Sequence, residues 1–156
     1  MSFEFFNNFR LKSLWHEGEI VDLKEKMRLS AKETLDNVAT VLYDIYLHDS
    51  HQKIGTIDIR LTMNDHMYYY GHVGYHILEK YRGHRYAFYA CKILLGIARD
   101  EFKMDHLIIT CNPDNYASLK TIERLGAELI EHVAVPQEHE LYRLGDKEKL
   151  IYKVRL

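Results

Sequence analysis

Two prolines, two cysteines, no block of one charge sign and no long apolar run set the first limits on this 156-residue chain. Cys91 and Cys111 lie far apart without a CxxC neighbour, which argues against a disulfide framework or a thiolate metal site. Each sits in an apolar pattern and reads as a buried reduced thiol. No apolar stretch approaches the roughly 20 residues that span a bilayer, and the N-terminus is not basic-then-apolar like a secretion signal. A cytoplasmic protein with no membrane partner is expected. Lys and Arg number 21 against 23 Asp and Glu, interspersed, for a net charge of -2, so nucleic acid is not an expected partner either. There is no repeat or low-complexity segment, and Pro113 and Pro136 are the only proline breaks. With 47% hydrophobic residues, the composition predicts one domain over residues 1-156 around one core.

Periodicity then supplies the elements. Residues 1 to 16 are aromatic-rich around Phe3, Phe5, Phe6 and Trp15 but carry too few turn signals to assign. From Glu19 to Leu29, Val21, Leu23, Met27 and Leu29 alternate with charged residues, which suggests a half-wet strand, with helix as the competitor. Leu35 to Thr40 reads as a loop. Val41, Tyr43, Ile45 and Leu47, then a turn at His48 to Gln52, then Ile57, Ile59 and Leu61, form a hairpin pattern. A second turn at Asn64-Asp65-His66 leads into an antiparallel third strand over Met67 to Leu78. Tyr68, Tyr69 and Tyr70 in it suit strand packing or the lining of an acceptor pocket. A helix follows over Arg85 to Phe102, then a short apolar strand at Leu107 to Cys111. Strand, helix, strand at this spacing is a βαβ unit with parallel strands and a right-handed crossover. Pro113-Asp114 opens a second helix that ends at Leu125 with Gly126 as its cap. Ala127 to Val135 and Leu150 to Leu156 close the chain as strands, joined by a helical turn around Glu140 to Leu144.

The richest stretch is Tyr81-Arg82-Gly83-His84-Arg85-Tyr86-Ala87, because an alternating apolar strand ends there and an amphipathic helix begins. Ala87, Ala90, Cys91, Leu94, Ile97 and Ala98 recur at steps of three and four. The first N-H groups of such a helix have no partner inside it and sit at the positive end of its dipole. Such a corner binds anions, phosphate above all.

An antiparallel meander, then βαβ, then a helix and two strands, resembles the GNAT superfamily of acetyl-CoA-dependent N-acetyltransferases. The family's central motif is matched by Arg82-Gly83-His84-Arg85-Tyr86-Ala87. Gly74-Tyr75-His76-Ile77-Leu78 before it, and Asn115-Tyr116-Ala117-Ser118 with Glu123 and Gly126 after it, are similar as well. The resemblance covers about residues 41 to 135. It implies an α/β (α+β) fold: a mixed, mostly antiparallel six- to seven-stranded sheet with a central parallel βαβ splay flanked by helices. It implies acetyl-CoA as acyl donor, with the amides of Gly83, His84, Arg85, Tyr86 and Ala87 and the Arg82 side chain around the pyrophosphate. Ile77 and Leu78 would pair their backbone with the pantetheine arm. One departure is Arg85, which stands where the family usually has a glycine. A positive φ there would carry a penalty of about 1 kcal/mol, and a turn that tolerates a side chain, with the guanidinium free for phosphate, is the favoured reading.

Chemistry adds further expectations. Only a neutral amine attacks a thioester, and an alkyl amine near pKa 10.4 is mostly protonated at pH 7, a barrier of roughly 4 to 5 kcal/mol unless a base or dry pocket removes the proton. A neutral imidazole suits that task. His72 is the preferred base and Glu79 the alternative. His72 and His76, four apart on a strand, are about 13 Å apart and do not share a metal, and no metal site is expected. In the family a main-chain amide of the strand before the turn holds the oxyanion, which falls on Ile77 or Leu78. The tyrosine that many members place in the second helix to receive the thiolate is Ile122 here. Asn115 and Ser118 instead resemble the subgroup that acetylates ribosomal-protein N-termini, with Ser118 hydrogen-bonding the sulfur and Asn115 the pantetheine.

The reaction implied is transfer of acetyl to a primary amine of a small molecule or peptide, both substrates bound together. The alternative is a non-catalytic or regulatory coenzyme A-binding module, which the missing tyrosine favours. A third reading makes Cys111 a nucleophile acetylated first. The family's paired N-terminal helices are hard to find, and a shortened lid leaves an open cleft with room for a second copy, so a homodimer is one expected arrangement.

Overall fold

A computed structural model describes residues 14-156. The aromatic start around Phe3, Phe5 and Phe6 lies outside them. Alternation decides the first sheet. Strands β1 (Trp15–His16), β2 (Val21–Leu29), β3 (Thr40–Leu47), β4 (Lys53–Arg60) and β5 (Val73–Ile77) pair in that order, every pair antiparallel. The strand reading of 19-29 holds. A bulge between Glu25 and Met27 interrupts it and leaves Met27 exposed.

Helix α1 (Tyr86–Asp100) packs on one face of this sheet. Its predicted stripe, Ala90, Cys91, Leu94, Ile97 and Ala98, is buried in one cluster with Leu23, Val41, Tyr43, Ile45, Ile57 and Ile59. Each of the fully buried Leu and Ile side chains contributes roughly 1.5 to 3 kcal/mol by leaving water. Strands β6 (His106–Cys111), β7 (Glu128–Ala134) and β8 (Glu148–Arg155) form a second antiparallel sheet in the order β6-β8-β7. Helix α2 (Tyr116–Arg124) follows β6, and the short α3 (Glu140–Arg143) lies between β7 and β8.

The α/β class is as expected, but the sheet arrangement is not: every strand pair among the described residues is antiparallel, and the parallel pairing expected across the βαβ unit is absent. The described residues hold eight strands in two sheets rather than one sheet of six or seven. No ladder joins β5 to β6. They meet at the isolated bridge Gly71 to Ile109, where the His72 amide donates to the Ile108 carbonyl at 2.7 Å. From that link β5 runs on to Ile77 and β6 to Cys111 without pairing, which leaves a gap between the sheets.

One other expectation is corrected. The strand predicted over Met67 to Leu78 begins only at Val73, and Met67–Tyr69 is a 3-10 turn. The Asn64 carboxamide accepts the Met67 amide at 2.8 Å and its carbonyl accepts the Tyr68 amide at 3.0 Å, so local bonds override the strand preference of the tyrosines. Between β2 and β3 stands one 3-10 turn, Ala31–Glu33, in place of a helical pair. Among the described residues no helix is long and apolar enough to cross a membrane.

Candidate active site

The gap between β5 and β6 continues into a cleft of about 520 Å³ under the start of α1 and along α2. Strand β5 forms one wall, and its register decides which backbone groups face it. Gly55 stands opposite Ile77, and the Leu78 amide donates to the Ile54 carbonyl at 2.8 Å. The Arg60 amide donates to the His72 carbonyl at 2.7 Å. Gly74, His76 and Leu78 therefore direct their backbone groups to β4, whereas Val73, Tyr75 and Ile77 direct theirs to the gap. Ile77 lines the cleft; Leu78 does not, and its amide is already taken.

Gly55 makes this wall possible. A Cβ there would stand 2.2 Å from the His76 carbonyl oxygen and 3.1 Å from the Ile77 Cα, so only glycine lets β4 approach β5 at this point.

The corner after β5 is held by its own side chain. Arg82 Nε donates to the Ile77 carbonyl at 2.9 Å. Gly83 then takes φ 87° and Arg85, the residue before α1, takes φ 63° and ψ 20°. The turn keeps the left-handed geometry that suits glycine, and Arg85 carries the strain of about 1 kcal/mol instead of escaping it. Among the described residues, no acceptor is bonded to the amides from Gly83 through Phe88. Six consecutive donors at a helix start make an anion cradle. Arg82, Gly83, Arg85, Tyr86 and Ala87 line the cleft, while the His84 ring turns aside to stack near Tyr86.

The opposite wall is α2. Asn115 caps it by accepting the Ser118 amide on its side-chain oxygen at 3.2 Å. Asn115 and Ser118 both line the cleft. The bond back to the helix backbone expected of an ordinary serine belongs instead to Thr121, whose hydroxyl donates to the Ala117 carbonyl at 3.1 Å. Ile122 is buried and absent from the lining.

Three lining residues escaped the sequence reading: Lys120, Thr121 and Arg124. With Ala117 they form an i, i+3, i+4, i+7 stripe, the signal that would have found them. Arg82, Arg85, Lys120 and Arg124 thus converge on a cleft whose lining includes no carboxylate, in a chain of net charge -2.

His72 is not brought to this site. It is buried at the link between β5 and β6, where its Nδ1 accepts the Ile108 amide at 2.8 Å. A backbone amide only donates, so Nδ1 is unprotonated in the fold. Burial, with His106 and Arg60 nearby, pulls its pKa down to about 4. Glu79 lies in the 3-10 turn Glu79–Tyr81, outside the lining, and of the histidines and Glu79 considered as bases only His76 is among the lining residues. Cys111 is buried and burial pushes its thiol up, the reverse of what a nucleophile needs. Burial likewise pushes Cys91 up to about 12.

A strand and a helix that splay around a cationic, amide-lined corner form a cleft whose charge and donors suit an anion. The sequence matches the model of the acetyltransferase (GNAT) domain over residues 5–128, and the chain belongs to that family. No curated protein matches it in sequence. Among solved structures, a GNAT-family acetyltransferase from Bacillus anthracis is similar at 20% identity and TM-score 0.59, over 73% of this chain and 65% of that one. A putative ribosomal-protein-serine acetyltransferase from Vibrio cholerae is similar at 15% identity and TM-score 0.64, over 91% of this chain and 97% of that one. The Microcin C7 self immunity acetyltransferase MccE, solved with acetyl-CoA and AMP, is similar at 20% identity and TM-score 0.58, over 75% and 61%. The chain therefore spans less than two thirds of the first and third of these.

Proposed function

We propose that the protein transfers an acetyl group from acetyl-CoA to a primary amine of a small molecule or peptide, directly, with both bound. The observation that carries this reading is the meeting of six unpaired amides and four cations, with no carboxylate, at the open end of the β5–β6 gap. The residues fit the donor. The Gly83 to Phe88 amides with Arg82 and Arg85 would hold its pyrophosphate, and Lys120 and Arg124 would meet further phosphate charge along α2. The outward edge of β5 at Tyr75 and Ile77 offers backbone pairing to an amide-bearing arm, and the side-chain NH2 of Asn115 adds a donor. When bound, acetyl-CoA supplies an activated acyl carbon.

The chain's own residues do the rest. The Ile77 amide, directed to the gap, is the donor placed for the developing oxyanion, a role Leu78 does not share. With His72 buried at the far link, His76 and water are the routes by which the ammonium proton leaves. In this family the acceptor side is built from the early strands and loops, and here the segment between β2 and β3 is reduced to the 3-10 turn Ala31–Glu33. A peptide N-terminus suits so open an approach, and the relative from Vibrio cholerae is named for a ribosomal protein substrate.

An amine panel from polyamines and amino sugars to peptide N-termini, read by free CoA release, tests the reading. Turnover with one class, lost in Arg82→Ala, is expected. Acetyl-CoA binding without release from any amine would favour the non-catalytic coenzyme A-binding module, which the buried Ile122 supports.

A further inference from the structure

The cleft wall also holds a buried hydroxyl that the fold does not firmly engage. The Tyr75 hydroxyl is buried and makes no hydrogen bond of normal length among the described residues, although the Ser118 and Thr121 hydroxyls lie near enough to act on it weakly, and Tyr75 lines the cleft. A buried hydroxyl left unpaired destabilises the fold that keeps it, and such a group calls for a partner. Tyr43 offers the contrast. Its hydroxyl is also unpaired, but it is fully enclosed beneath α1 and reaches no cleft.

The surroundings of Tyr75 say which partner. It rises from the wall strand two residues before Ile77, so the two share one face of β5. The hydroxyls of Ser118 and Thr121 on α2 and the thiols of Cys91 and Cys111 are its neighbours. Thr121 already spends its proton on the Ala117 carbonyl. The Tyr75 hydroxyl thus bridges the gap between β5 and α2, where Ser118 lines the opposite side.

We propose that the Tyr75 hydroxyl, together with Ser118, donates a hydrogen bond to the sulfur leaving group, in the role that the buried Ile122 cannot fill. This rests on the acetyl transfer proposed above. The acceptor nitrogen forms its bond to the acyl carbon and loses a proton. The carbon–sulfur bond breaks, its electron pair stays on sulfur, and the proton lost by nitrogen balances the thiolate's charge through solvent. Burial first of all pushes the Tyr75 phenol up to about 12, with the Ser118 and Thr121 hydroxyls pulling the other way. A thiol near 8.5 is the stronger acid, so Tyr75 keeps its proton and stabilises the thiolate as a donor. Tyr75 is in this sense a catalytic residue and not a proton source.

Tyr75→Phe removes the hydroxyl and keeps the ring. The variant is expected to bind CoA within threefold of wild type by calorimetry, and to lose at least tenfold in kcat with little change in KM for acetyl-CoA. The thiol of bound CoA, followed by its thiolate absorbance, should titrate at higher pH on Tyr75→Phe than on wild type. Unchanged kcat with an unchanged thiol titration overturns the proposal. Should Tyr75→Phe fail to fold, Ser118→Ala decides. A bound thiol that stays below its free value in Ser118→Ala supports Tyr75 as the remaining donor, and a return to the free value overturns it. Failure of wild type to bind CoA would instead defeat the acetyl-transfer reading.

Discussion

Arg82 Nε donates to the carbonyl of Ile77 at 2.9 Å, so the first residue of the anion corner is fastened to the last residue of the wall strand. The wall strand and the amide-lined corner therefore cannot shift independently. Arg82→Ala removes both a charge and this strut. A charge-assisted bond of about 1.5 to 3 kcal/mol corresponds to roughly 10- to 100-fold in affinity. Calorimetry with CoA is expected to find a loss of that size, and Arg82→Lys, which cannot reproduce the fork, should recover only part of it.

His72 predicts an acid-sensitive fold. Its folded pKa, about 4, lies below the unfolded value near 6.5, so between those values the unfolded chain binds more protons. Stability therefore falls as pH drops from about 6.5 to 4 and gains no further loss from this group below 4. Urea unfolding at steps across that window should lose on the order of 2 kcal/mol. His72→Leu should flatten the slope while lowering stability at pH 7 by about 1 to 3 kcal/mol, because the Ile108 amide is left unpaired.

Gly55 predicts a coupled loss of stability and binding. The Cβ of Gly55→Ala would meet the His76 carbonyl oxygen at 2.2 Å, and backbone must move. A destabilisation of about 1 to 3 kcal/mol in urea is expected, with weaker CoA binding in the fraction that stays folded, because the displaced segment carries Ile77.

Arg85 predicts the reverse trade. At φ 63° a side chain is strained, so Arg85→Gly should raise stability by up to about 1 kcal/mol in thermal unfolding. The same change removes one of four cleft cations and should weaken CoA severalfold, with a shallower dependence on salt.

Local pattern made much of this legible. The spacing of Ala90, Cys91, Leu94, Ile97 and Ala98 gave the buried face of α1, and the glycine-bearing corner at its start pointed to an anion. What stayed hidden depends on contacts distant in sequence. His72 carries the same pattern whether it faces a substrate or caps Ile108, and only the closure of β5 onto β6 decides between them. Tyr68 to Tyr70 favour a strand by propensity, but Asn64 rewrites their start through two short-range bonds. Strand β7 reads as a closing strand in the sequence, and its place at the sheet edge leaves Leu129 and Ile130 exposed. The unpaired state of the Tyr75 hydroxyl has no counterpart in sequence, since it follows from a gap between two sheets.

Titration of acetyl-CoA into the wild-type protein and into Arg124→Glu, each at low and moderate salt, decides whether the cleft is a coenzyme A site. The expected result is one site per chain, with affinity falling as salt rises and at least a tenfold loss when the α2 cation is reversed. No binding heat and no thermal shift in the wild type at millimolar acetyl-CoA would contradict the account.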